Sequence, residues 1–456
     1  MLPRRIAAAL LAGPLAAGCG GSDAEARPLG VVLLTCDTLR ADRLGLYGWQ
    51  TGTSPHLDAL AQESIVYEDA WSTAPLTGPA LSALLTGRLP EDLGLGDNRT
   101  VLAAEAETLA ERLAAHGVET AAVVSNWVLR RRPELGDAGV QQGFAHFDDA
   151  LPESEPSRPD VKERLADATT DAALAWLDGR SGTRPFLLWV HYQDPHGPYT
   201  PPPELLGDVQ PPADEPELPV GPDERGQGAL PRYQVVDGER HASVYRARYE
   251  AEIRYFDREL GRLLDGLRAR GLYERVLIAF TADHGESMGE RGYYFSHGRH
   301  LHRELVQTPL LLRPPGGAAP PRRERLPVSH LDLYPTVLRV FGIEPGTTHG
   351  IDLLAAAPPA DRILPHSLRG TLAATGARHR LLIGPEGPEL YDREIDPGEE
   401  RNLAALHPEL VQALLEGHKT FTARKPGAPL RPAEPVEDEA TRRAMDALGY
   451  GGEDGH

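Results

Sequence analysis

Val276-Leu277-Ile278-Ala279-Phe280-Thr281-Ala282-Asp283-His284-Gly285-Glu286-Ser287 is the stretch on which the fold is read. Its β-branched and aromatic apolar run predicts a buried strand, and the run stops abruptly at a carboxylate, an imidazole and a glycine. In an open α/β sheet the carboxyl ends of the strands face the crevice where ligands bind. Asp283 and His284 are therefore placed to hold a divalent cation with mixed oxygen and nitrogen donors. A second run, Val31-Val32-Leu33-Leu34-Thr35, ends the same way in Cys36-Asp37-Thr38-Leu39-Arg40. The two strand ends can converge on one ion, which makes Asp37 a further expected ligand.

The rest of the chain continues the alternation. Glu119–Val124, Phe186–Val190 and Pro309–Leu312 read as strands, and Glu107–His116, Ala166–Leu177 and Leu331–Phe341 as helices. Ser54-Pro55-His56 opens another helix on good N-terminal signals. Tyr249, Ile253, Phe256, Leu260, Leu263, Leu264 and Leu267 recur at helical spacing and feed the Val276 strand. Strands and helices at this spacing predict a mostly parallel sheet covered on both faces. After Ile351 the pattern changes to short strands, Arg380–Ile383 and Glu389–Asp392, and then helix, which predicts a smaller appended subdomain over 351–456.

The candidate nucleophile lies in Ser72-Thr73-Ala74-Pro75-Leu76-Thr77-Gly78-Pro79-Ala80-Leu81. Pro79 suits a first helical turn and Ala80–Leu85 are helix formers, which puts Thr77 at a helix N-terminus. A hydroxyl there feels the positive end of the helix dipole, and a nearby cation would lower its pKa further. The plainer alternative is that Thr77 is an N-cap. His196, between Pro195 and Gly197 in a strand-end loop, and His297, before Gly298, are the candidate contacts to a substrate. His191 reads equally as a satisfied strand-end histidine. Arg40 and Asp42 are expected to form a loop salt bridge, and Cys36 to pack as a small apolar side chain. His300 and His302 are expected on a solvated face or as supporting groups. Thr200–Arg240, rich in Pro, Gly, Asp and Glu, is either a lid or an inserted loop.

At 456 residues the chain can bury a substantial core, and its net charge of −20 argues against nucleic acid as a partner. Arg4-Arg5 and the apolar run Ile6–Ala17 have the form of a signal peptide over 1–18. The run ends Leu15-Ala16-Ala17-Gly18-Cys19, similar to the lipobox of bacterial lipoproteins, although Ala16 stands where Leu is commoner. The expectation is export to the bacterial cell envelope and a membrane anchor through lipidated Cys19, with 19–28 as a tether. An ordinary cleaved signal is the alternative. Cys36 is the only other cysteine, so no structural disulfide is expected.

Asp37, Thr77, Asp283 and His284 together resemble the site of the sulfatase family within the alkaline phosphatase superfamily. The resemblance also rests on Leu84-Leu85-Thr86-Gly87, Asp194-Pro195-His196-Gly197-Pro198-Tyr199, Ser296-His297-Gly298, Leu390-Tyr391-Asp392, Asp396-Pro397 and Asn402-Leu403. It implies an α/β/α sandwich over 29–350 with a smaller C-terminal α+β subdomain. It also implies a divalent metal on Asp37, Thr77, Asp283 and His284, and attack on a sulfate or phosphate ester through a covalent intermediate. The chain departs from the family where a Cys or Ser becomes formylglycine, since Thr77 cannot do so by that route. Leu81 replaces the family arginine, and Ser125-Asn126 stands where sulfatases carry Lys and His. A Thr nucleophile with an Asp-His pair looks more like the phosphoethanolamine transferases and lipoteichoic acid synthases of this fold. His284 in place of an amide favours Zn²⁺ or Mn²⁺, with Ca²⁺ as the alternative. The expected substrate is a small anionic ester of a glycan, a lipid head group or a metabolite. The alternatives are a phosphoryl-group transferase and a metal-binding protein that has lost turnover.

Overall fold

Strand β1 (Gly30–Cys36) is buried along its whole length, and its period of two sorts its side chains into two cores. In this computed structural model, which describes residues 28–434 except 182–183, 223–225 and 318, together with Arg443, Val32 and Leu34 enter one core and Val31 and Leu33 the other. The signal peptide expected over 1–18, and Cys19 with all but the last residue of its tether, lie outside the described residues.

The remaining strands of the main sheet are β2 (Ile65–Trp71), β3 (Glu119–Val124), β4 (His146–Asp148), β5 (Phe186–Tyr192), β6 (Val276–Ala282), β7 (Gln307–Arg313), β8 (Arg322–Glu324) and β9 (Val328–Ser329). Their order is β8-β2-β7-β6-β1-β5-β3-β4, with β9 also pairing β2. Every pair is parallel except those made by β7, which runs against β2 and β6. The principal helices of this layer are α1 (Pro55–Ala61), α2 (Thr77–Thr86), α3 (Leu109–Ala115), α4 (Ala166–Gly179), α5 (Ala242–Ala269) and α6 (Leu333–Val340). Residues of α1, α4 and α5 fill the first core, and those of α2, α3 and α6 the second. The α/β/α sandwich expected from the alternating pattern is thus present. Among the described residues no helix is long and apolar enough to cross a membrane.

Beyond this layer, β10 (Leu364–Leu368), β11 (Thr371–Thr375), β12 (His379–Gly384) and β13 (Gly387–Asp392) form an antiparallel meander, against which α7 (Pro408–Thr422) packs. The sequence reading passed over β2, β10 and β11. In β2 the apolar run is broken by Glu68 and Asp69, whose partners come from far along the chain. Asp69 accepts from Trp71 Nε1 at 2.7 Å and pairs with Arg393, while Glu68 pairs with Arg323 and Arg325.

A buried ion pair docks the meander on the sandwich. Arg380, fully buried on β12, donates to Glu399 Oε1 at 2.7 Å and to the Leu301 carbonyl, and lies over the Trp71 ring. Glu399 also accepts from His302 Nδ1 at 2.9 Å, which places His302 in the junction and not on a solvated face. Removing the guanidinium would leave Glu399 charged without its main partner in a dry site. Arg380→Leu is expected to cost about 3–5 kcal/mol in chemical denaturation.

The Pro-rich stretch packs beside the sandwich. Gln234 Nε2 donates to the Phe295 carbonyl at 3.1 Å, and Ser157 Oγ donates to the Tyr233 carbonyl at 2.5 Å. Beneath it lie four carboxylates, Glu155, Glu163, Asp194 and Glu252, all buried, with Arg158 bonded to Glu155. Burial pushes the Glu163 carboxyl up to about 8, helped by the charges of Glu155 and Asp194. Burial also raises Glu252, with the charge of Asp194 adding to it. A folded-state pKa above the unfolded one means that the native state binds the extra proton. Stability from Glu163 is therefore complete below about pH 4.5 and is lost as pH rises towards 8. The melting temperature should fall between pH 5 and pH 8.5, and Glu163→Gln should reduce that fall by several degrees. An identical pH profile in the variant would show that Glu163 is ionised in the native protein.

Candidate functional site

Thr35 of β1 is level with His191 of β5 and with Thr281 of β6, so the three strands finish together. The ladder runs one step further, from Asp37 N to the Tyr192 carbonyl at 2.9 Å and from Asp283 N to the Cys36 carbonyl at 3.1 Å. Both carboxylates therefore leave the sheet at the same height. The turn after Asp37 holds Thr38 at a positive φ of 54°, a costly conformation for a β-branched residue. Tyr249 fixes it by donating to the Thr38 carbonyl at 2.7 Å and accepting from Arg40 N at 3.0 Å.

Each carboxylate has one oxygen tied to protein and one left over. Asp283 Oδ1 accepts from Thr38 N at 3.1 Å and His284 N at 2.7 Å, and Asp37 Oδ2 accepts from Asn126 Nδ2. Asp283 Oδ2 and Asp37 Oδ1 are buried with no hydrogen-bond partner. His284 Nε2 lies 3.5 Å from Asp283 Oδ2, 3.9 Å from Asp37 Oδ1 and 3.4 Å from Thr77 Oγ1. These approach the separation of about 3.3 Å between ligands at the corners of a tetrahedron around a zinc-sized ion. Two buried carboxylate oxygens facing each other without a donor would be costly, and a cation between them removes the cost. The donor set fits a divalent metal.

His191 belongs to this cluster, where its sequence position left it undecided. Its ligand atom and those of Asp37 and Asp283 lie within 4.8 Å of one another, and Nε2 is buried without a partner. Its other nitrogen is held at 2.9 Å by Thr35 Oγ1, which accepts from Trp189 Nε1 at 2.9 Å. Asn126 was also missed, having been read only as the replacement for a family residue. Its Oδ1 accepts from Val128 N at 2.7 Å, which turns Nδ2 towards Asp37.

Thr77 is the first residue of α2, one position past the N-cap Leu76, and no helical N–H bonds to its hydroxyl. The N-cap alternative therefore gives way to a hydroxyl that faces His284. Gly78 N donates to Asn98 Oδ1 at 2.8 Å, which anchors the turn beside it. Leu81, in the place of the family arginine, is buried in the second core.

His196 and His297 flank the other side. The His297 ring centroid is 4.6 Å from that of His284 and 5.2 Å from that of His196. His284 Nδ1 faces the Gly285 carbonyl at 2.9 Å and His196 Nδ1 the Gly197 carbonyl at 2.7 Å. A carbonyl can only accept, so both rings carry a proton on Nδ1 and present Nε2 as a lone pair when neutral. Gly197 packs against the Gln234 amide, which a Cβ would have to displace, since it would lie 2.1 Å from Gln234 Nε2.

Burial holds His196 neutral, lowering it to about 3, and lowers His297 well below its usual value with help from His284. Burial lowers His191 to about 4. Asp283 is pushed up to about 6 by burial and then by the charge of Asp37, while burial raises Glu286 to about 8. Burial opposes charge on His284, but Asp283 and Asp37 outweigh it and raise its pKa. Arg40 forms the expected bridge to Asp42 at 2.7 Å and also reaches Glu290 at 2.7 Å. Cys36 is buried and donates to the Asp194 carbonyl at 2.8 Å.

The chain is 28% identical to the ulvan-active sulfatase of Formosa agariphila, over 84% of this chain and 78% of that protein. It is 27% identical to human arylsulfatase A, over 86% of this chain and 87% of that one. Among solved structures it resembles, with a TM-score of 0.72 and 20% identity, a protein in complex with its substrate D-glucosamine-2-N,6-O-disulfate, covering 88% of this chain and 99% of that one. It also resembles the phosphonate monoester hydrolase of Agrobacterium radiobacter, with a TM-score of 0.71 and 21% identity, covering 88% and 96%. At these identities the two structures speak for the fold alone. The sulfatase family matches residues 30–343, from the first residue of β1 to just past the end of α6. The chain is therefore an ester hydrolase that belongs to the sulfatase family.

Proposed function

We propose that this sulfatase-family hydrolase cleaves a sulfate or phosphate ester through a covalent intermediate on Thr77, with a divalent metal held by Asp37, Thr77, Asp283 and His284. The observation that carries the reading is the 3.4 Å approach of Thr77 Oγ1 to His284 Nε2, beside two buried carboxylate oxygens that lack any donor. Two imidazoles at the cluster, His284 and His191, favour Zn²⁺ or Mn²⁺ over the all-oxygen preference of Ca²⁺. Such a cation supplies Lewis acidity, neutralising the anionic oxygens of the ester and favouring ionised Thr77.

The chain's own groups account for the protons. Thr77 gives its proton to a neutral imidazole, His196 or His297, as Oγ bonds to sulfur or phosphorus. The ester oxygen of the leaving group departs with that proton. In the second half a water molecule gives a proton to the same imidazole, its oxygen displaces Thr77 Oγ, and the proton returns to Thr77. An imidazole that starts neutral with an Nε2 lone pair is in the correct state for this cycle.

The names of the relatives support a sulfated glycan as the anionic ester. The leader-like residues 1–19 support an enzyme exported to the cell envelope and anchored there by Cys19.

Thr77→Ala should lower turnover of an aryl sulfate or aryl phosphate by at least about a thousandfold, as loss of a nucleophile does elsewhere. Turnover that survives in Thr77→Ala would refute the covalent mechanism. Asp283→Asn should abolish stoichiometric binding of Zn²⁺ or Mn²⁺, read by elemental analysis after dialysis. A variant that keeps the full metal content would remove Asp283 from the ligand set.

A further inference from the structure

Glu286, three residues beyond Asp283, is fully buried beside the site. One carboxylate oxygen, Oε1, lies 3.2 Å from His297 Nδ1, and the other accepts from the Tyr199 hydroxyl at 3.2 Å. The backbone of Glu286 is pinned by Arg40 Nη1, which donates to its carbonyl at 2.9 Å. Tyr199 is itself buried and fixed edge-on against Tyr249 and Phe295, with centroids 5.4 and 6.0 Å away. Tyr199, Glu286 and His297 thus form a chain from the aromatic core to the cleft. Phe295, two residues before His297, holds a positive φ of 48°, and its carbonyl accepts from Gln234, which anchors the segment that carries His297.

Three imidazoles of the site, His196, His284 and His297, differ in how their Nδ1 atoms are held. His196 and His284 donate to backbone carbonyls of the residues that follow them, whereas His297 has a side chain, Glu286, as its partner. Free neutral imidazole in a histidine prefers the proton on Nε2. An acceptor oxygen at Nδ1, which Glu286 offers when ionised and through its carbonyl oxygen when protonated, reverses that preference and leaves Nε2, on the other edge of the ring, as a proton acceptor.

We propose that Glu286, held by Tyr199, is the positioning residue that sets His297 in the Nδ1–H tautomer, so that His297 Nε2 is the group that takes the proton of the attacking water. In that step water oxygen bonds to sulfur or phosphorus while one of its protons passes to His297 Nε2. The bond to Thr77 Oγ breaks, and the imidazolium proton then returns to Thr77. Glu286 stabilises the imidazolium between the two transfers and exchanges no proton itself. The proposal rests on the reading of Thr77 and His297 given above.

The test combines ¹⁵N spectra of histidine-labelled protein with steady-state kinetics, using His297→Gln to assign the ring. The wild type should show His297 protonated on Nδ1 and unprotonated on Nε2, and Glu286→Ala should shift it to the Nε2–H form. Glu286→Gln, whose amide oxygen can still accept from Nδ1, should keep the wild-type tautomer. On an aryl ester, Glu286→Ala should lower kcat by about 10–100-fold with KM little changed, the usual effect of losing a supporting partner. Glu286→Gln should recover part of the loss, and Tyr199→Phe should give a smaller one. A wild-type His297 protonated on Nε2, which would put the shared proton on Glu286, overturns the proposal. So does an unchanged tautomer in Glu286→Ala, or equal losses of kcat in the Ala and Gln variants. Because the spectra need no turnover, turnover surviving in Thr77→Ala would strike the reading of the site and leave the tautomer result standing.

Discussion

Parallel pairing of β1 with β5 and β6 in one register brings Asp37, His191 and Asp283 to the same edge of the sheet. Everything at the site follows from that alignment. A slip of one residue in either pair would turn alternate side chains to the other face and separate the carboxylates. The alignment brings two carboxylates into one dry place, an electrostatic conflict that the fold leaves standing. Backbone N–H groups and Asn126 satisfy one oxygen of each, and the remaining two lie unpartnered near the His284 imidazole, which Thr77 Oγ1 also approaches.

Around this point the protein presents imidazoles that burial disposes to the neutral form. Leu81 is packed in the second core and Ser125-Asn126 carries no charge. Burial holds His196 and His297 uncharged, and backbone carbonyls or Glu286 fix where their protons lie. Such rings begin as acceptors. That suits the hydroxyl proposed here as nucleophile, which must lose a proton.

The supporting layers constrain the same loops from behind. Tyr249 on the long helix α5 clamps the strained turn at Thr38, and the amide of Gln234 from the Pro-rich stretch packs closely on Gly197. The antiparallel meander reaches the segment after His297 through Arg380, Glu399 and His302. Each contact joins residues far apart in sequence, and each acts on a loop that carries a site residue.

The sequence by itself determined the sandwich and singled out the candidate site residues. Unbroken apolar runs ending in Asp37 and Asp283, helix formers after Thr77, and helical spacing in α5 are local signals, because strand and helix periods are written in the order of the residues. Four strand-end or loop residues, Asp37, Asp283, His196 and His297, stood out for that reason. Tertiary structure decided what depends on pairing between distant segments. It recruited His191 through strand register, turned Asn126 on to Asp37, and completed β2 with arginines from beyond β7 and from the C-terminal meander. It also separated Thr77 from the N-cap role by one helical position, a difference of one backbone step that composition does not encode. Glu286 and Tyr199 carry no local mark at all, since a buried glutamate is recognisable only when its neighbours are known.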